Sequence, residues 1–260
     1  MISLILAGGL GTRISNETII KPKPLILLNN KPILSYIISH YRKHDVNQFI
    51  IAGGYKYKKI IDYFDTINDQ NIFFDKNSSI KITKKVFEYF KNSNNKKKYF
   101  VKVVNTGLNT QTGGRVMKLK KLLKNYEFFF LTYGDGISDI NIKKTYYQFK
   151  REKFYAQVTA VKSPPRFGEI EFGTKKNIVK NFTEKPTRDA SWINGGYFLM
   201  SSKILNNLNK DENLEKETLP KIVKKKLLSY YKHFGYWQCM DTPRDKIKLE
   251  KDLKSAKFKI

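Results

Sequence analysis

The chain opens with a short apolar run, Ile2 to Ala7, that breaks at once into Gly8-Gly9-Leu10-Gly11-Thr12-Arg13. No other feature restricts the fold as much. A buried strand that gives way to a glycine loop exposes backbone N–H groups at its carboxyl end. Such a loop favours anions, phosphates above all. A plain strand-to-helix turn would explain the glycines alone equally well. The dinucleotide pattern G-x-G-x-x-G is not met, and neither is G-x-x-x-x-G-K-[ST], so those two phosphate folds are set aside.

The rest of the chain alternates strands and helices. Strands are expected at Gln48–Ala52, Phe100–Asn105, Glu127–Tyr133, Ala156–Val161, Ile193–Met200 and Ser229–Phe234. Helices are expected at Pro32–Lys43, Lys58–Phe64, Gly114–Lys124, Ile142–Arg151 and Pro243–Leu253. Between Gly168 and Thr183 the pattern suggests short strands with a turn near Lys175–Asn177. This alternation predicts an α/β fold, Rossmann-like, with a mixed but mainly parallel central sheet flanked by helices. No internal repeat or linker appears, so residues 1–260 read as one domain. The polar stretch from about 66 to 98 has no long periodic element and reads as an insertion, an arm or a lid.

On such sheets, ligands sit at the carboxyl ends of the strands, and the chemistry-bearing residues fall there. In Lys21-Pro22-Lys23-Pro24 each lysine precedes a proline, which biases both to extended backbone. Alternate residues of an extended segment share a side, so the frame is expected to aim both ammonium groups one way. A solvated charged loop is the alternative, but Arg13 nearby favours phosphate binding. Asp135 ends the most apolar strand between Gly134 and Gly136. It reads as a divalent-metal ligand or as a turn cap, with Asp241 as the second carboxylate. Glu184-Lys185-Pro186 and Asn194-Gly195-Gly196 offer groups suited to a sugar phosphate. Asp139 and Asp245 read as helix-cap or surface residues, and the three histidines have no metal-ligand spacing.

Composition narrows the partners. A net charge of +27 invites a nucleic-acid reading. Only seven of the 50 basic residues are arginine, however, and lysine is spread throughout. That suits a compositional bias as well as it suits a binding patch, so specific nucleic-acid binding is a remote alternative. No run approaches a membrane span, and no leader pattern opens the sequence. With one cysteine, Cys239, a cytoplasmic protein is expected.

Several motifs together resemble the sugar-phosphate nucleotidylyltransferases. They are Leu-Ala-Gly-Gly-Leu-Gly-Thr-Arg, Lys-Pro-Lys-Pro, Gly-Asp-Gly after a strand, Glu-Lys-Pro and Asn-Gly-Gly. Thr112-Gly113-Gly114-Arg115, Thr132 to Gly136, and Trp237 through Asp245 are similar to the cytidylyl branch of that family. The resemblance covers nearly the whole chain, apart from residues 66–98. It implies the nucleotide-diphospho-sugar transferase type of fold. It also implies in-line attack of a sugar 1-phosphate, glucose 1-phosphate foremost, on the α-phosphorus of CTP, with release of pyrophosphate. UTP, dTTP or another phosphorylated acceptor are the alternatives. The resemblance implies that Leu6, Ala7, Gly8, Gly9, Leu10, Gly11, Thr12, Arg13, Lys23, Thr110, Arg115 and Gly134 meet the nucleotide. Arg13, Lys23 and Asp135 would be catalytic. Asp135 and Asp241 would hold Mg²⁺, and Glu184, Lys185, Asn194 and Gly195 would hold the sugar phosphate. A homo-oligomer is expected on the same ground.

Overall fold

Strand β1 (Ile2–Ala7) is buried at every residue and lies inside an eight-stranded sheet. The computed structural model describes residues 1–79, 98–163, 169–172, 174, 178–183 and 191–255. After β1 come β2 (Leu27–Leu28), β3 (Lys31–Pro32), β4 (Gln48–Gly53), β5 (Ile72–Asp75), β6 (Tyr99–Asn105) and β7 (Phe128–Tyr133). Then follow β8 (Gly136–Ser138), β9 (Ala156–Lys162), β10 (Glu169–Phe172), β11 (Val179–Thr183), β12 (Trp192–Ser201), β13 (Leu228–His233) and β14 (Trp237–Cys239). The large sheet runs β13-β9-β12-β7-β1-β4-β6-β5. Every pairing in it is parallel except the two made by β12, so the sheet is mixed and mainly parallel, as expected.

The two faces of β1 feed two cores. Ile5 and Ala7 pack into one and Ile2, Leu4 and Leu6 into the other, the period-two division of a strand covered on both sides. The helix Ile33–Lys43 buries Ile33, Leu34, Ile37, Ile38 and Tyr41 on the first face. It is entered through the β2–β3 hairpin, whose Asn29 and Asn30 have φ of 47° and 66°. Those left-handed values suit asparagine and match the twist of a tight hairpin. The helix Thr112–Lys118 covers the second face through Val116.

Three expectations need revision. The single helix expected over Gly114–Lys124 is two short ones, Thr112–Lys118 and Lys120–Leu123, because Leu119 at φ −93° and ψ 5° breaks the run. The polar insertion contains a strand: β5 pairs in parallel with β6 and forms the sheet edge. The fully buried Lys102 ammonium holds it there by bonding Asp75 Oδ2 and the Asn77 carbonyl. Residues 80–97, and with them the rest of the expected arm or lid, lie outside the described residues. Residues 202–226, where no element was expected, carry a 3-10 helix (Ser202–Asn206), a π-helical turn (Leu214–Thr218) and the helix Leu219–Lys224. The strands expected near Gly168–Thr183 are β10 and β11, paired antiparallel, while the turn near Lys175–Asn177 is outside the described residues.

A second pairing sets up the site. β8 and β14 pair antiparallel, with Gly136 opposite Cys239, and the Met240 N–H donates to the Asp135 carbonyl at 2.8 Å. Asp135 and Asp241 therefore leave the ends of adjacent strands. No helix of the described residues is long and apolar enough to cross a membrane.

Candidate active site

The loop after β1 turns sharply at Gly11, whose φ of +68° is strained for any side chain. A Cβ there would also lie 2.8 Å from the Thr18 methyl. Gly8 is required for another reason. A Cβ on it would lie 2.0 Å from Cζ of Arg115. That guanidinium cannot easily move, because it makes five hydrogen bonds. It donates to the Gly8, Gly53, Gly107 and Leu108 carbonyls and to Thr106 Oγ1. Gly53 ends β4, while Gly8 and Thr106 follow β1 and β6. Arg115 thus staples the carboxyl ends of three neighbouring parallel strands. Burial pulls the pKa of its guanidinium down, since no ion pair offsets the desolvation in full.

The Lys-Pro-Lys-Pro frame does not aim both lysines one way. Lys23 opens a 3-10 turn, Lys23–Leu25, instead of continuing an extended segment. Its ammonium reaches Asp135 Oδ2 at 2.6 Å and Asp241 Oδ1 at 2.7 Å. Lys21 lies instead 3.9 Å from Glu17. Burial alone would lower the Lys23 pKa, but the two carboxylates outweigh it and the net shift is upward. Lys23 accordingly remains an ammonium wedged between two acids. Arg13 closes the group from the solvent side, with Nη1 3.1 Å from Asp241 Oδ2 and a largely exposed side chain.

Two cavities adjoin at this cluster. The smaller, about 250 Å³, is lined by Leu6, Ala7, Gly8, Gly9, Gly11, Thr12, Lys23, Arg115 and Gly134 among others. Gly9 faces open space there. Leu10 and Thr110, expected at the nucleotide, are not in its lining, and the Thr110 hydroxyl donates to the Thr106 carbonyl at 2.6 Å. The larger cavity, about 910 Å³, is lined by Asn194, Gly195, Trp237 and the start of the C-terminal helix Pro243–Lys254. Arg13, Tyr133, Asp135 and Asp241 line both. Glu184 and Lys185 lie outside the described residues.

The donor set suits a hard cation. Asp135 and Asp241 present carboxylate oxygens to one cationic point, at present the Lys23 ammonium. Among the described residues no three His, Cys, Asp or Glu side chains are placed to hold a metal ion. Two carboxylates with the remaining positions left to water and phosphate are what Mg²⁺ prefers over an all-protein cage. Asp245 is a helix cap, as expected: it forms a capping box with Thr242.

The sequence of the whole chain agrees with this arrangement. The family described as Nucleotidyl transferase matches residues 2–255. The chain belongs to the nucleotidyl transferase family. Glucose-1-phosphate cytidylyltransferase of Salmonella typhimurium is 38% identical over 255 residues, covering 96% of this chain and 95% of that protein. D-glycero-alpha-D-manno-heptose 1-phosphate guanylyltransferase of Campylobacter jejuni is 30% identical over 219 residues, covering 84% of this chain and 83% of that protein. Among solved structures, apo UDP-glucose pyrophosphorylase superposes with a TM-score of 0.66 at 20% identity, over 99% of each chain, and shares the fold.

Some lining residues of this nucleotidyl transferase were not singled out from the sequence, among them Tyr133 and Thr112 in the smaller cavity. Tyr133 precedes the Gly-Asp-Gly motif, and Thr112 opens Thr-Gly-Gly-Arg. Both belong to motifs that were recognised, so their position was the available signal. Trp237, whose Nε1–H donates to the Gly195 carbonyl at 2.7 Å, likewise begins a recognised run.

Proposed function

We propose that this protein is a glucose-1-phosphate cytidylyltransferase, which joins CTP and the sugar phosphate to give CDP-glucose and pyrophosphate. One observation carries the reading: a smaller cavity at the β1 loop and a larger one at β12 and β14 share Arg13, Asp135 and Asp241, and Lys23 bonds both of those acids from the smaller side. The 38% identity to the Salmonella enzyme supports the choice of base and sugar.

In this reading CTP enters the smaller cavity, with its phosphates over the loop from Leu6 to Arg13. Gly9 leaves room for close approach, and the Arg115 staple holds the loop in place. The sugar 1-phosphate occupies the larger cavity beside Asn194 and Gly195. Its phosphate oxygen attacks the α-phosphorus in line, and pyrophosphate leaves toward the β1 loop. The reaction needs positioning and charge stabilisation more than a protein nucleophile. Lys23 and Arg13 supply fixed positive charge where the two substrates meet. Asp135 and Asp241 would hold Mg²⁺, which when bound would offset the phosphate charge. A domain spanning 1–260 is supported by the single sheet that takes strands from β1 to β13. A homo-oligomer in the cytoplasm completes the reading, and sedimentation would measure the oligomeric state.

The test is pyrophosphate release across four nucleoside triphosphates and a panel of sugar 1-phosphates, with and without Mg²⁺. CTP with glucose 1-phosphate should be the fastest pair and should require the metal. Faster turnover with UTP, dTTP or GTP would overturn the cytidylyl assignment. Fast turnover with another sugar phosphate would overturn the acceptor. Salt-sensitive RNA or DNA binding without any pyrophosphate release would favour the nucleic-acid alternative.

A further inference from the structure

Glu215 lines neither cavity, yet it connects them. Its Oε2 accepts from the Thr112 hydroxyl at 2.7 Å, and its Oε1 accepts from the Tyr133 hydroxyl. Thr112 is in the wall of the smaller cavity, and Tyr133 is one of the residues that line both. On the far side, Asn194 Nδ2 donates to the Tyr133 oxygen at 3.2 Å. Asn194 Oδ1 accepts the Gly196 N–H at 2.8 Å. Four side chains thus form one hydrogen-bonded chain, Thr112–Glu215–Tyr133–Asn194, running from one cavity wall to the other.

Direction matters in this chain. A glutamate carboxylate only accepts, so it takes the protons of both Thr112 and Tyr133. The Tyr133 hydroxyl is therefore the donor in its bond to Glu215. The Tyr133 oxygen is then left with lone pairs and must accept. It accepts from the amide nitrogen of Asn194, and with the Gly196 N–H held on the amide oxygen the two contacts select the same end of that amide to face Tyr133. The second Nδ2 hydrogen of Asn194 is left for a ligand oxygen in the larger cavity.

We propose that Glu215 is a positioning residue for the acceptor: through Tyr133 it sets the amide orientation of Asn194, and through Thr112 it ties that orientation to the wall of the nucleotide cavity. This rests on the larger cavity being the sugar-phosphate subsite. The ligand class is an oxygen-rich anion that accepts from the Asn194 amide.

Steady-state kinetics with both substrates varied tests it, after pyrophosphate release by the unaltered chain has checked the underlying reading by itself. Glu215→Ala should raise the acceptor KM about tenfold while the nucleotide KM stays within about twofold. Tyr133→Phe, which deletes one oxygen, should do the same, and the double variant should be no worse than either single one. Glu215→Gln, which keeps an acceptor oxygen in place, should recover part of the loss. Equal rises in both KM values, additive effects in the double variant, or an unchanged acceptor KM in Tyr133→Phe would overturn the proposal. Circular dichroism would detect misfolding of Glu215→Ala, in which case Tyr133→Phe decides alone, since it leaves the ring and its packing intact.

Discussion

The two cavities are built in opposite ways. The smaller gathers around the backbone of the glycine loop after β1, held down by Arg115, with glycines where side chains would collide. The larger is made of side chains drawn from β12, β14 and the C-terminal helix. Backbone recognition suits a group that does not vary, such as a triphosphate. Side-chain recognition suits a group that differs between relatives, and the family members matched here carry different sugars in their names. The difference teaches where specificity can change without disturbing the phosphate chemistry.

The largest losses are expected at Asp135 and Asp241, which line both cavities, and at Lys23, which bonds both acids. Asp135→Ala or Asp241→Ala should cut turnover by at least about 10³-fold with the fold intact, because charge stabilisation at the reacting centre dominates such reactions. Pyrophosphate release and circular dichroism check this, and near-normal rates with Mg²⁺ would remove the residue from the centre. Lys23→Ala should lower kcat/KM by about 10²-fold, since one fixed charge is lost. It should also leave Asp135 and Asp241 repelling each other, so a higher rate would be a direct contradiction.

Smaller effects should separate the two sides. Gly8→Ala should destabilise the protein by about 1–3 kcal/mol, the usual range for forcing a methyl into filled space. It should raise the nucleotide KM more than the acceptor KM, because it dislodges the Arg115 staple. Urea unfolding and the two KM values together decide it, and a purely local clash would leave both KM values alone. Trp237→Phe should be mildest, losing the bond to the Gly195 carbonyl and about 0.5–1.5 kcal/mol. Its effect should appear in the acceptor KM only, and an equal change in the nucleotide KM would blur the division.

Legibility follows the same division. The β1 loop could be read directly, because glycine, lysine and arginine in one short segment state their chemistry locally. Asp135 and Asp241 were also visible, as acids at the ends of apolar runs. Lys21 and Lys23 show the limit: the dipeptide rule placed both on one side, but a 3-10 turn at Lys23 separated them. The five acceptors of Arg115 left little trace because four are backbone carbonyls, which any residue supplies. Glu215 was not visible at all. It sits in a polar stretch without periodicity, and its partners are 103 and 82 residues away along the chain.

The β8–β14 pairing also bears on how the protein is made. Lys23 is 218 residues from Asp241 in the sequence, and the two meet only once the last strand has docked. A ribosome delivers the glycine loop and Lys23 well before the second carboxylate. At roughly 5–20 residues per second, this leaves many seconds in which a growing chain has the glycine loop but not the finished cluster of Lys23 and two acids. A nascent or truncated copy lacking the final strand would keep Lys23 with a single acid. The paired acids around Lys23 therefore form only after β14 has been made and has docked on β8.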